Sequence, residues 1–483
     1  MLFALLFVSA VSQAAQAQHD VVLLNGHVID PESGLNEVRN IGVSDGKIVE
    51  ISEAALSGKT TLDLKGKVVA PGFIDLHSHA MSPLGQRYQL LDGVTTALEL
   101  EAGAYPVAAV GNVIADEPLI NFGASAGHYA MRIKVVEQRD MPYFFFNRQR
   151  LSFESEGFKA PLNDNQLDKL RRHLHLGLDQ GGLGIGLLLD YMSDAVNDQE
   201  LNMIFEVAAE RQAPVFVHMR RGLAGDPVGL KELLQVARHT GAPVHICHLA
   251  ANAIDGIDTF LALVQEARED GVDVTVESYP YEAGSTSIGA DVFNRDWQKV
   301  FGISYEDVQL AATGEYFTEE SWNRVRQEDP NAMIIHHYGR SDWTERAIQT
   351  PGMMVASDAM PVFSEKIKAH PRGMGTFSRV IGRYVRDKQL LDLPAALSKM
   401  TIEPARRLEQ VAPAFKRKGR IQVGADADIV VFDLKLIQDN ATYTEPHQPS
   451  TGIETILING IVVVSDGEIR EGVFPGRMMI GGN

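Results

Sequence analysis

Eight short apolar segments, each closing on a polar residue, run through the middle of this chain of 483 residues and leave it few folds to choose from. They are "GFIDLH", "GVTTALELE", "LINFGASAGH", "LGIGLLLDY", "APVFVH", "APVHICH", "VDVTVESY" and "GMMVASD". Between several of them lie amphipathic helices such as "QELNMIFEVAAERQ", "GLKELLQVARHTG" and "IDTFLALVQEAREDG", whose apolar residues recur at helical spacing. Strands that alternate with helices pair in parallel, and eight such units predict a (β/α)8 barrel of the TIM-like kind over residues 71–415. The stretch from Ser285 to about Pro351 reads as an insertion near the active face, and its "MIIHHYG" reads as a strand of its own.

The two ends of the chain follow a different pattern. Residues 18–70 contain "DVVLLNGHVID" and "NIGVSDGKIVEIS", and residues 416–483 contain "GRIQVGADADIVVFD" and "TILINGIVVVSDGEI". Hydrophobic runs broken by Asn-Gly and Asp-Gly mark hairpins. Both ends are expected to meet as one small β-sandwich domain beside the barrel. A chain this long exceeds the size at which one core stops growing, which fits a large domain with a smaller companion.

The first residues, "MLFALLFVSAVSQAAQAQHD", form an apolar run followed by small residues and resemble a secretory signal peptide over 1–17, implying a periplasmic or secreted protein. No later run is long and apolar enough to span a bilayer, so no membrane association is expected once that segment is removed. A formal net charge of -19 argues against nucleic acid, which needs a basic footprint. The single cysteine, Cys247, permits no intrachain disulfide; it neighbours His248 and is expected to point the opposite way, into packing.

Barrel active sites form where strands end. The polar residues there are His77 and His79 on the first strand, Glu99 and Glu101 on the second, His218 on the fifth, His248 on the sixth and Asp358 on the eighth. Alternate residues of a strand share a face about 7 Å apart, so His77 and His79 can grip one metal ion. Any one strand-end histidine is ordinarily structural or solvated. Four imidazoles and a carboxylate on one face are poor core material unless something binds them.

These residues, with "PGFIDLHSH", "SYPYEAGST" and the long "HPRGMGTFSRVIGRYVRDKQLLDLPAALSKMTIEPARRL", resemble the amidohydrolase superfamily and, within it, the N-acyl-D-amino-acid deacylases (D-aminoacylases and N-acyl-D-glutamate deacylases). The resemblance covers about residues 20 to 475. It implies hydrolysis of the amide of an N-acylated D-amino acid with one or two zinc ions, the more tightly held on His218 and His248 and a weaker one on His77 and His79. Asp358 matches the catalytic carboxylate, acting as base and then acid. Arg372, Tyr279 and Ser285 match residues that hold the substrate carboxylate.

Three departures stand out. The family's metal-binding cysteine after the second strand falls on Ala102, so a carboxylate is expected to replace it, with Glu101 preferred and Glu99 as runner-up. The family's carboxylate-binding lysine falls on Ala250, leaving Arg372 as the main clamp. The usual acidic pair after the fifth strand is replaced in "HMRRG"; Arg221, with Arg220 or with Lys366 and Lys368, either receives an acidic substrate side chain such as that of N-acyl-D-glutamate or is a solvated loop charge. His128 matches a family histidine that either lines the pocket or is structural. No lysine closes "LGIGLLLDYM", which argues against hydantoinase-like chemistry. A cyclic amide or dipeptide substrate, or a solute-binding protein without turnover, are the competing readings, and a homo-oligomer is compatible with all of them.

Overall fold

The structure, a computed structural model, describes residues 19–114, 117–143, 145, 153 and 155–482. The expected signal peptide lies outside the described residues. All eight expected barrel strands form, at Phe73–Asp75, Val94–Ala104, Asn121–Gly127, Ile185–Leu188, Val215–His218, Val244–Ile246, Val274–Ser278 and Met353–Val355, and they lie side by side in chain order. Every pairing is parallel. Val215, Val217, Val244 and Ile246 turn outward into the shell of helices, while Leu98, Leu100, Phe216, Cys247 and Met354 fill a second apolar cluster. Alternation of side chains along each strand gives the barrel both layers.

The first and last strands meet just beyond their ends. The backbone N–H of Asp358 donates to the His77 carbonyl at 2.8 Å, and that of His79 to the Ala359 carbonyl at 2.8 Å. The same stitches that close the barrel therefore hold His77 and His79 against Asp358.

The insertion folds as a three-stranded antiparallel sheet of Gly284–Ser287, Met333–His336 and Val308–Leu310, with Met333–His336 in the centre. The strand expected in "MIIHHYG" is that central one. Phe293, Trp297, Phe301 and Trp322 give the insertion its own aromatic core.

Both chain ends join in one hydrogen-bonded sheet of nine strands. The seam is an antiparallel pairing of Val68–Pro71 with Ile429–Phe432. Val69, Ile429 and Val431 are fully buried there, and Val68–Pro71 leads through Gly72 directly into the first barrel strand, so the sheet anchors the strand that carries the two leading histidines.

Candidate active site

The five expected ligand residues converge. His77 and His79 follow the first strand, Glu101 lies in the second, His218 ends the fifth, and His248 caps the short helix Leu249–Ala253. Glu101 stands between two pairs of imidazoles. Its Oε1 is 3.0 Å from His218 Nδ1 and 2.8 Å from His248 Nε2; its Oε2 is 3.3 Å from His77 Nε2 and 3.7 Å from His79 Nε2. Within each pair the ring nitrogens face one another, at 3.1 Å for His218 and His248 and 3.3 Å for His77 and His79.

The outward nitrogens are held too. His77 Nδ1 is 2.6 Å from Glu277 Oε1, His79 Nδ1 is 2.8 Å from Glu99 Oε2, and Asn252 Nδ2 is 3.0 Å from His248 Nδ1. Contacts of this kind fix ring orientation and tautomer so that the inward nitrogen presents a lone pair. Tyr143 donates to Glu99 at 2.7 Å, and His245 Nε2 reaches Glu277 Oε2 at 3.1 Å. Glu99 thus supports His79 from behind, whereas Glu101 occupies the centre. Both carboxylates point inward, as alternation requires, and their depth along the strand separates their roles. At the strand's end Gly103 adopts φ +71, and a Cβ there would lie 2.5 Å from Ser125 Oγ. Only glycine is comfortable at that bend, which sits where the pairing register shifts between Glu99 and Ala104.

Burial raises the cost of charge on Glu101, but the imidazoles of His77, His218 and His248 outweigh it and hold its carboxyl well below the usual range. Burial likewise opposes charge on His77, yet Glu101, Asp358 and Glu277 outweigh it and hold that imidazole well above its ordinary value. A buried group of facing nitrogen lone pairs on a shared carboxylate calls for positive charge at its centre. Histidine and carboxylate are suitable donors for zinc, and Glu101 has one oxygen for each pair. The residues present fit one or two such ions.

Asp358 closes the site. Its Oδ1 is 3.5 Å from His77 Nε2, 3.7 Å from His79 Nε2 and 3.0 Å from Arg372 Nη2. Asp358 and His248 have φ of 49° and 36°, a left-handed conformation that costs energy in non-glycine residues and recurs at functional sites.

Arg372 is fully buried, with its guanidinium 4.7 Å from the centre of the Tyr279 ring. Its Nη2 also donates to the Ser285 carbonyl at 3.4 Å, while Nε and Nη1 have no hydrogen-bond partner among the described residues. The Tyr279 hydroxyl meets that of Tyr338 at 2.7 Å, and Ser285 Oγ donates to the Ile334 carbonyl at 2.8 Å. All three expected carboxylate-binding residues line one cavity together with His79, Glu101, His218, His248 and Asp358.

Arg221 lines the same cavity, above the Phe301 ring, with Nη1 donating to the Ala251 carbonyl at 2.6 Å. It is therefore not a solvated loop charge. Arg220 turns away: it pairs with Glu232 and donates to the Val196 carbonyl, and it does not line the cavity. Lys366 and Lys368 are also outside the lining. His128 lies under the site in a buried group with Glu200 and Arg132, a structural role. Cys247 is in the apolar interior, as expected, but it does not point away from the site: its sulfur groups with His77 and Glu277 beneath the histidine cluster. Inside a barrel, successive residues near a strand's end reach different layers of the same interior.

Several cavity residues escaped the sequence reading, among them Asp190, Tyr191, Tyr338 and His336. His336, at the end of the insertion's central strand, is buried with an unpartnered Nδ1, and burial together with the charges of Arg221 and Arg372 holds its imidazole well below the usual range, so it is neutral. Its only sequence signal was its place at the end of an apolar run in an insertion.

A (β/α)8 barrel with paired histidines bridged by a carboxylate at its strand ends defines a metal-dependent hydrolase site. The chain belongs to the amidohydrolase family, whose model matches residues 60–125 and 155–464. Its sequence is 31% identical over 473 residues to the N-acyl-D-glutamate deacylase of Alcaligenes xylosoxydans xylosoxydans, covering 93% of this chain and 94% of that one. It is 27% identical to the D-aminoacylase of the same organism, over 94% and 96% of the two chains. Among solved structures it resembles the N-acyl-D-glutamate deacylase of Bordetella bronchiseptica, complexed with zinc and a phosphonate mimic of the tetrahedral intermediate, at 27% identity and a TM-score of 0.76 over 96% of this chain and 100% of that one. A D-aminoacylase structure at 23% identity has a TM-score of 0.80 over 96% and 100% of the two chains and supports the fold.

Proposed function

We propose that the protein is a zinc-dependent deacylase that hydrolyses the amide of an N-acyl-D-amino acid with an acidic side chain, releasing a carboxylate and a free D-amino acid. The carrying observation is the juxtaposition, in one cavity, of the Glu101-bridged histidine pairs with a buried Arg372 whose Nε and Nη1 lack partners. The two free donors lie on different edges of the guanidinium, so a substrate α-carboxylate takes one of them in a charge-assisted bond, and an uncharged substrate would leave both unpaired. Tyr279 fixes the guanidinium by stacking beneath it, and Ser285 shapes the wall beside it. Arg221 and His336 lie on the part of the cavity formed by the insertion and supply positive charge and a hydrogen-bonding nitrogen for a second carboxylate.

His218, His248 and Glu101 would hold one zinc ion and His77, His79 and Glu101 a second. Zinc supplies Lewis acidity, lowering the pKa of water toward ~7 and polarising a carbonyl. Asp358 accepts the proton of the attacking water and delivers it to the departing nitrogen. Asp358 is paired with Arg372. A substrate carboxylate on Arg372 competes for that guanidinium and loosens its hold on the base.

Purified protein reconstituted with zinc, assayed against N-acetyl-D-glutamate, N-acetyl-D-aspartate, N-acetyl-D-leucine and the L enantiomers, tests the reading. The acidic D substrates should lead. Neutral substrates outrunning them would remove the acidic preference, and hydrolysis of none would sink the deacylase. The apolar N-terminal residues support export of the mature enzyme, which N-terminal sequencing of periplasmic protein would check.

A further inference from the structure

The opposite end of the barrel carries a second cavity. Its wall is built from the residues that begin four consecutive strands, among them Pro214, Pro243, Val274 and Gly352, and one side is the helix Ile402–Leu408. Three charged residues of that helix line it, Glu403, Arg406 and Arg407; Arg406 is largely exposed and pairs with Glu32 at 3.2 Å.

Arg407 is anchored at one point. Its Nη1 donates to Asp273 at 2.6 Å, its side chain is only 5% exposed, and its Nε and Nη2 are buried without partners among the described residues. Nε and Nη2 form one edge of the guanidinium, the edge that takes a carboxylate through two parallel bonds. A purely structural link to Asp273 leaves both donors unsatisfied, which is costly for a charged group. Burial accordingly pushes the guanidinium below its ordinary value, and Asp273 is the charge that opposes the shift.

Glu403 has the complementary deficiency. One carboxylate oxygen accepts from Ser398 at 2.8 Å, and the other, Oε2, is buried and unpartnered. The two residues stand four apart on one helix face, about 6 Å of rise, the spacing at which acid and base ordinarily pair. Among the described ion pairs Arg407 is joined to Asp273 and not to Glu403. The third arginine of the wall, Arg268, already donates to the Val274 and Gly352 carbonyls at 3.0 and 3.2 Å. Among the described residues, the buried polar atoms of this wall left without a hydrogen-bond partner are one guanidinium edge and one carboxylate oxygen.

We infer that this cavity binds a free α-amino acid as a zwitterion, its carboxylate on the Nε and Nη2 edge of Arg407 and its ammonium on Glu403 Oε2. A simple anion would satisfy Arg407 but meet Glu403 repulsively, and a simple cation the reverse. If the deacylase reading holds, the ligand belongs to the class of the reaction's amine product; the site itself stands on Arg407 and Glu403.

Calorimetric titration of the intact protein with glycine, acetate and ethylamine tests this without turnover, using wild type, Arg407→Gln, Glu403→Gln and Arg372→Gln. Glycine should bind wild type and Arg372→Gln alike, and at least about tenfold more weakly to Arg407→Gln and Glu403→Gln, the loss of a charge-assisted bond. Acetate and ethylamine should each bind at least about tenfold more weakly than glycine for the same reason. Glu403→Gln keeps the shape and the Ser398 contact, so it serves if Arg407→Gln unfolds. Glycine binding that is absent in wild type, unchanged in Glu403→Gln, or matched by acetate would overturn the inference. Failure of the protein to cleave any N-acyl amino acid would overturn the deacylase and leave this result standing.

Discussion

The two histidine pairs that share Glu101 are not equivalent. His218 and His248 come from neighbouring strands and lie 3.0 and 2.8 Å from one carboxylate oxygen, with the Asn252 amide behind His248. His77 and His79 come from one strand end and lie 3.3 and 3.7 Å from the other oxygen, with Asp358 also within 3.5 and 3.7 Å. The first pair is a compact seat for a cation. The second is looser and is shared with Asp358, the carboxylate proposed above as the proton carrier, so it is not closed on all sides.

The largest test of that contrast removes one imidazole from each pair. His248→Ala should lose the more tightly held ion and more than about 10³-fold in kcat/KM, several kcal/mol of transition-state charge stabilisation, whereas His77→Ala should retain one ion by elemental analysis. The reverse pattern would exchange the roles of the pairs. Next, Asp358→Asn should lower kcat by about 10² to 10⁴-fold while leaving metal content unchanged, because proton transfer is lost and the imidazoles are not. Metal loss in that variant would make Asp358 a ligand first.

Arg372→Gln should act mainly on KM, raising it about 10 to 100-fold for a carboxylate-bearing substrate, the worth of a charge-assisted bond. A change confined to kcat would mean that Arg372 serves Asp358 and not the substrate. Smallest is the effect of the support behind the second pair: Glu277→Gln should weaken metal affinity at His77 and His79 by about 10-fold, the low end for such partners, and leave the first pair unchanged in a chelator titration. Glu101, Asp358 and Glu277 outweigh burial and hold the His77 imidazole well above its ordinary value, so an ion binding there competes with a proton. Affinity at this pair should therefore rise with pH, with proton release measurable by titration in buffers of different ionisation enthalpy.

Much of the site could be read before the fold was known because its members are strand ends, and strand ends in a parallel barrel share one mouth. His77, His79, His218, His248 and Asp358 needed no more than that. Glu99 and Glu101 were a different problem: alternation places both on one face, and only depth in the barrel separates the residue that bridges the pairs from the one that braces His79. Arg220 and Arg221 could not be ranked either, since the loop after a strand has no fixed period and the two guanidinia diverge, one to Glu232 and one into the cavity.

Local pattern alone thus determined the eight strands, the β character of both chain ends and the histidine and aspartate positions at strand ends, because period-two alternation and chain order are properties of neighbouring residues. Tertiary structure decided which carboxylate is central, that Arg372 is tied to Asp358, that Cys247 lies beneath His77, and that His336 enters the cavity from an insertion. Each of those depends on distances between segments far apart in the chain, set by how the barrel closes and how the insertion folds over it.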